Sequence, residues 1–258
     1  MSYRSQVDST YLFLTVMAFV AGLVDSVVGG GGLIQLPALL IAFPAAPVAY
    51  LFGTNKLAGI CGTLVAAVGF VRAQPVALAT VLPAAVAAFV FSFLGARCVS
   101  IVDPAILRPL VVAALIVVLL YTLFKPDIGG VHAPRLSPTR ERIVAVCIGG
   151  VLGFYDGFFG PGTGSFILFA FVALLGFDFI RASASSKLLN IATNIAALVY
   201  FIPNGYVYFD VGVVMAIANV VGSFVGVRLA LAKGSRFVRV LFIVIVVALL
   251  AKQIHQLL

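Results

Sequence analysis

Charge is scarce in this 258-residue chain: 9% of its residues are Asp, Glu, Lys or Arg, against 63% apolar. Soluble domains carry about 25% charged and about 45–50% apolar residues. A mean hydropathy of +1.24 points the same way. The composition excludes a soluble enzyme, a disordered chain and a fibrous repeat. Cysteine is scarce too. Cys61, Cys98 and Cys147 lie scattered in apolar stretches without a Cys-x-x-Cys spacing, which gives neither a disulfide framework nor a metal site. The histidines are His132 and His255, and no cluster of His with carboxylates can be built from them. No metal or other cofactor is therefore expected. No Gly-Lys-Ser/Thr follows the glycine runs, so there is no P-loop and no ATP-binding motif. The first apolar segment, from about Tyr11, lacks an Ala-x-Ala cleavage pattern and reads as a retained helix rather than a signal peptide. No segment alternates with period two, which argues against an outer-membrane barrel.

What is present is apolar sequence in long blocks. The fold class these predict is an all-α polytopic membrane protein. A span takes ~20 residues, so the chain holds at most about ten. Sixteen Lys and Arg against eight Asp and Glu give a net charge of +8. In a soluble chain that excess would suggest nucleic acid. Here the Lys/Arg bias of cytoplasmic loops accounts for it, and the expected partners are the lipid bilayer and a small anionic substrate. A homodimer is an assembly the sequence leaves open.

The chain is written twice. One constant shift, without gaps, carries Asp25 onto Asp156, Lys56 onto Lys187, Arg97 onto Arg228 and Arg108 onto Arg239. The same shift carries Gly22, Gly29 and Gly31 onto Gly153, Gly160 and Gly162, and Ser92-Phe93 onto Ser223-Phe224. Matched Val or Ala would mean little, but charges are too rare here to coincide by chance. The reading is a first unit over residues 1–128 and a second over 129–258, forming one integrated transmembrane domain. The apolar segments are Tyr11–Val28, Leu33–Phe52, Leu57–Val71, Val76–Val99 and Ile106–Phe124, then Ile143–Phe159, Ser165–Phe177, Leu188–Ile202, Val207–Leu231 and Val238–Leu257. Five spans per unit would make the repeats inverted. If the second segment only dips in and returns, the count is four and the repeats are parallel. On five spans, Arg72, Lys125, Arg135, Arg140, Arg142, Arg181, Lys233 and Arg236 share one side, which the positive-inside bias puts inside the cell, with both termini outside.

Short or Gly/Pro-broken segments at matching places in two halves point to a transporter's binding site. Asp25 precedes Gly29–Gly32, and Asp156 precedes Gly160-Pro161-Gly162-Thr163-Gly164-Ser165. Such runs break a helix. Where the next helix starts, free N–H groups make an anion site. The alternative is a close-packing surface, since glycines let helices approach. Asp25 and Asp156 could cap the broken backbone, pair with lysines or carry protons. The second constellation is Thr54-Asn55-Lys56 with Gly59 and Thr63, matched by Ser183, Ser185, Ser186 and Lys187 with Asn190 and Asn194. At 3.6 residues per turn Ser183, Lys187, Asn190 and Asn194 form one stripe. A lysine at the centre of an apolar helix costs at least ~2.5 kcal/mol. Lys56 and Lys187 therefore bind an oxyanion, neutralise Asp25 and Asp156, or snorkel from helix ends. Arg97 and Arg228 read as interfacial anchors.

The glycine breaks, followed by Gly-Thr-Asn-Lys in one half and Ser-Ser-Lys in the other, resemble the TauE/SafE family, the sulfite exporters or TSUP permeases. Asp25, Gly29–Gly32, Pro37, Thr54–Lys56, Asp156, Gly160–Gly164, Ser185–Lys187 and Asn190 carry the likeness. The resemblance implies an inner-membrane, multi-pass permease, not an enzyme, for sulfite, sulfoacetate or a related sulfonate. The binding residues expected on this reading are Lys56, Lys187, Thr54, Asn55, Ser186, Asn190, Asn194, Gly31, Gly32, Gly162, Thr163, Gly164 and Ser165. The competing readings are an anion channel, a membrane-embedded enzyme and a non-transporting assembly protein.

Overall fold

Backbone polar groups inside a bilayer must find partners within the chain, and helices are the local way to do so. The computed structural model describes residues 3–102 and 136–233 and the single positions 109, 113, 116 and 133, with no strand among them. The helices are α1 Tyr3–Val28, α2 Gly32–Ala42, α3 Val48–Ala73, α4 Leu78–Val99, α5 Pro138–Phe158, α6 Thr163–Ala170, α7 Phe179–Phe201 and α8 Phe209–Lys233. A π-helical turn, Phe171–Leu175, extends α6. The expected segment Val238–Leu257 and nearly all of Ile106–Phe124 lie outside the described residues.

The shift that carries Asp25 onto Asp156 also carries the start of α2 onto that of α6, α3 onto α7 and α4 onto α8. Several boundaries differ from the apolar segments read in sequence. The second segment ends at Ala42 rather than Phe52, because Pro44 disfavours helix at Phe43. α3 then starts after Pro47, and α7 starts after Asp178, whose Oδ1 accepts the Arg181 N–H at 2.9 Å. The polar runs Thr54–Lys56 and Ser183–Lys187 thus lie inside helices rather than ahead of them. Both long first helices end on a glycine in the left-handed region, Gly29 at φ +82° and Gly160 at φ +86°. That conformation is open to glycine at little cost.

With α1–α4 taken as one group and α5–α8 as the other, the fourth helix of each packs on the opposite group. α8 lies along α1 and α3, α4 lies along α5 and α7, and α3 meets α7 between them. Small residues set these contacts. Gly149, Gly153 and Gly157 of α5 face Ala84, Ala88 and Ser92 of α4, and a Cβ on Gly157 would overlap the Ser92 carbonyl. Across the matching interface Asn219 Nδ2 donates to the Ala18 carbonyl and Ser223 Oγ to the Gly22 carbonyl, both at 3.1 Å. Close backbone approach of this kind is how helices associate where no hydrophobic force separates them from lipid.

The contacts identify two ends. At one, the Tyr11 hydroxyl donates to Asp210 at 2.7 Å, and the Phe43 and Tyr50 rings lie against Tyr208. α1 therefore enters, and α2 leaves, by the same end. At the other, the Thr80 hydroxyl donates to Glu141 at 2.6 Å, and Val76, Phe70, Ile180 and Val227 pack together. Polarity is arranged inside out. Leu78, Leu82, Val86 and Val90 on α4, and Val213, Ile217 and Val221 on α8, are exposed at four-residue steps. Thr54, Lys56, Ser185, Lys187, Thr193 and Asn219 are buried. Among the described residues four helical stretches are long and apolar enough to cross a membrane: Ser9–Val27, Val48–Ala73, Leu78–Val99 and Phe209–Ala232. Apolar surface this extensive marks a membrane protein.

Candidate functional site

The two glycine breaks meet. The Ser165 N–H donates to the Gly29 carbonyl at 3.1 Å, and Gly29 sits so close to Gly164 that neither could carry a side chain. Lys56 and Lys187 each lie eight residues inside their helices, about 12 Å along the axis at 1.5 Å per residue. That depth brings both lysines to the breaks. The pairing there is reciprocal. Lys56 Nζ lies 2.7 Å from Asp156 Oδ2, and Lys187 Nζ lies 3.0 Å from Asp25 Oδ2. Each lysine thus answers the aspartate of the other group. The first pair is almost fully buried, at 5% and 2% exposure, while Asp25 of the second is 16% exposed.

Asp25 also holds the broken backbone. Its Oδ1 accepts the Gly31 N–H at 3.1 Å, its Oδ2 accepts from the Thr63 hydroxyl at 3.4 Å, and its carbonyl accepts from Lys187 Nζ. A carboxylate at a helix N-terminus is favourable both through its hydrogen bond and through the helix dipole. In the first turn of α2 the Leu33 N–H bonds the Gly30 carbonyl and the Gln35 N–H that of Gly31. The protein's own carboxylate already occupies part of the expected anion site at this helix start.

Between the breaks lies a cavity of about 40 Å³. At roughly 10–15 Å³ per water it holds about three. Lys56, Asp25, Asp156 and Thr63 line it, with Gly29, Gly31, Gly32, Gly59, Gly160, Gly162 and Gly164 and the carboxamides Gln35, Asn55, Asn190, Asn194 and Asn219. A Cβ on Gly59 would meet no atom within 4 Å, so the space extends over that residue. Asn194 Nδ2 donates to Asn190 Oδ1 at 3.0 Å, while Asn55 Oδ1 is buried without a partner.

Of the residues expected from sequence, Lys56, Asn55, Asn190, Asn194, Gly31, Gly32, Gly162 and Gly164 face this cavity. Five others do not line it. Lys187 is turned to Asp25. Thr54 donates to the Tyr50 carbonyl at 2.7 Å and accepts the Tyr208 N–H at 3.0 Å, tying α3 to the start of α8. Ser186 and Thr163 donate to carbonyls three residues back, those of Ser183 and Gly160. Ser165 is buried at the crossing of the breaks. Sequence reading missed Gln35 and Asn219. Each is a single amide in an apolar run, and their repeat-related positions hold Phe166 and Ala88. At the far end of α8 the Arg228 guanidinium lies 4.1 Å from the centre of the Phe224 ring.

The family model described as sulfite exporter TauE/SafE matches residues 14–252. A "probable membrane transporter protein ORF9" from Sinorhizobium is 39% identical over 238 residues, covering 92% of this chain and 89% of its own. The probable membrane transporter protein YfcA of Escherichia coli is 37% identical over 245 residues, 94% of this chain and 89% of its own. A probable membrane transporter protein of Haemophilus influenzae is 34% identical over 243 residues, 94% of each chain. No solved structure matches the chain significantly. A buried polar cavity, set where two glycine breaks cross inside an apolar helical body, is a transporter's arrangement, and the chain belongs to the TauE/SafE family of membrane transporters.

Proposed function

We propose that the protein is a secondary transporter of the inner membrane, crossing it several times, that exports a small sulfur-containing anion such as sulfite, sulfoacetate or a related sulfonate. The observation that carries this reading is the reciprocal pairing of Lys56 with Asp156 and Lys187 with Asp25 around a cavity at the crossed breaks. The family model's own description supports the sulfur anion.

The mechanism follows from where the ion pairs sit. Both join one unit, residues 1–128, to the other, residues 129–258. An oxyanion in the cavity competes with Asp156 for the Lys56 ammonium. Binding therefore loosens a tie between units at the moment the site fills, which couples occupancy to movement of one unit against the other. The units are read as inverted repeats with re-entrant helices. α1 starts at the end marked by Tyr11 and Asp210, and its counterpart α5 starts at the end marked by Thr80 and Glu141. The hairpin α1–α2 enters and leaves at one end, so each unit needs only an odd number of full crossings to invert.

The test is flux and binding in reconstituted vesicles with sulfite, sulfoacetate, thiosulfate and sulfate. Saturable movement of at least one sulfur anion, inhibited by the others that bind, is expected. Non-saturating flux with single-channel currents would make the protein a channel. Absence of flux for all four would refute the reading.

A further inference from the structure

The charges around the crossed breaks are symmetric and the amides of the cavity are not. Two lysines and two aspartates, matched by the repeat, cancel each other. Gln35, Asn55, Asn190 and Asn219 have Phe166, Ser186, Gly59 and Ala88 at the matching positions. Each of these amides therefore stands without a repeat-related counterpart.

We infer that Gln35 is a substrate-binding residue of this transporter, donating from Nε2 to an oxygen of the bound oxyanion. The inference rests on the proposed function and names a ligand-binding residue for it. Gln35 is 1% exposed, stands in the cavity wall on the first turns of α2, and its Nε2 has no hydrogen-bond partner. A buried donor without an acceptor is costly, and persists where a ligand or water completes it. Packing does not require the amide. Phe166 fills the matching register of α6 and packs edge-on against Tyr155, with ring centroids 5.6 Å apart. Two neighbouring amides are already engaged: Asn194 Nδ2 on Asn190, and Asn219 Nδ2 on the Ala18 carbonyl. Gln35 thus offers an uncommitted donor in the cavity that Lys56 lines. An oxyanion with several acceptor oxygens can meet the ammonium with one and the amide with another. It is then held in one orientation, off the axis relating the two units.

The experiment compares the unmodified protein with Gln35→Met, which keeps length and loses the donor, in vesicles loaded with sulfite. The KM should rise about tenfold or more, as loss of one hydrogen bond to a charged group implies. Vmax and melting temperature should hold, because no bond within the protein is removed. A KM within twofold of the original overturns the inference. So does a fall in Vmax and melting temperature without a change in KM, which would make Gln35 structural. If Gln35→Met does not fold, Gln35→Glu replaces donor by acceptor at the same shape, and the same KM criterion applies. Failure of the unmodified protein to move any sulfur anion refutes the proposed function itself and takes the inference with it. That outcome is read before any variant is made.

Discussion

Removing either buried lysine leaves an aspartate behind, but the two aspartates are not equally provided for. Lys56→Met strands Asp156, which is 2% exposed and has Lys56 as its one side-chain partner among the described residues. Breaking a buried pair by deleting one member costs about 3–5 kcal/mol, and the upper half of that range applies here. Lys187→Met strands Asp25, which is 16% exposed and keeps the Gly31 N–H. Hydrogen bonds to a charged group contribute about 1.5–3 kcal/mol each, so the loss should fall to about 1–3 kcal/mol. The assay is equilibrium unfolding in lipid or mild detergent for both single variants, with the double variant Lys56→Met/Asp156→Leu beside them. The double variant replaces an ion pair by apolar side chains and should recover most of the loss. Equal losses for the two lysines would refute the asymmetry. A double variant as unstable as the summed singles would refute the pairing itself.

Gly59→Leu places a side chain into open cavity space, so it should fold at normal yield yet lose most transport, read as vesicle flux at saturating substrate. Thr54→Val leaves the Tyr208 N–H without its acceptor and should cost about 1–2 kcal/mol in unfolding experiments while KM stays unchanged. A raised KM would instead return Thr54 to the binding site. Gly157→Ala forces α4 and α5 apart at the Ser92 carbonyl and should cost about 1–3 kcal/mol, seen as a lowered melting temperature.

The glycine breaks were legible because rare residue types mark them. Helix starts were less so. Hydropathy began the third segment of each unit at Leu57 and Leu188, since Thr54–Lys56 and Ser183–Lys187 look like loop. Inside a membrane protein such residues can remain helical when they face partners, and Asp25 and Asp156 are those partners. The repeat also could not say which lysine meets which aspartate. Pairing within a unit and pairing across units obey the same spacing, and the side-chain contacts decide it. Gln35 and Asn219 escaped because a search for repeated residues discards those that occur once.

The crossed ion pairs also set a schedule for synthesis. Asp25 and Lys187 are separated by 162 residues. At about 5–20 residues per second, the ribosome needs roughly 8–30 s to deliver the lysine after the aspartate. Through that interval the first glycine break and its carboxylate have entered the membrane without the cation that later neutralises them. The neutral pair at the break therefore exists only once α7 is made.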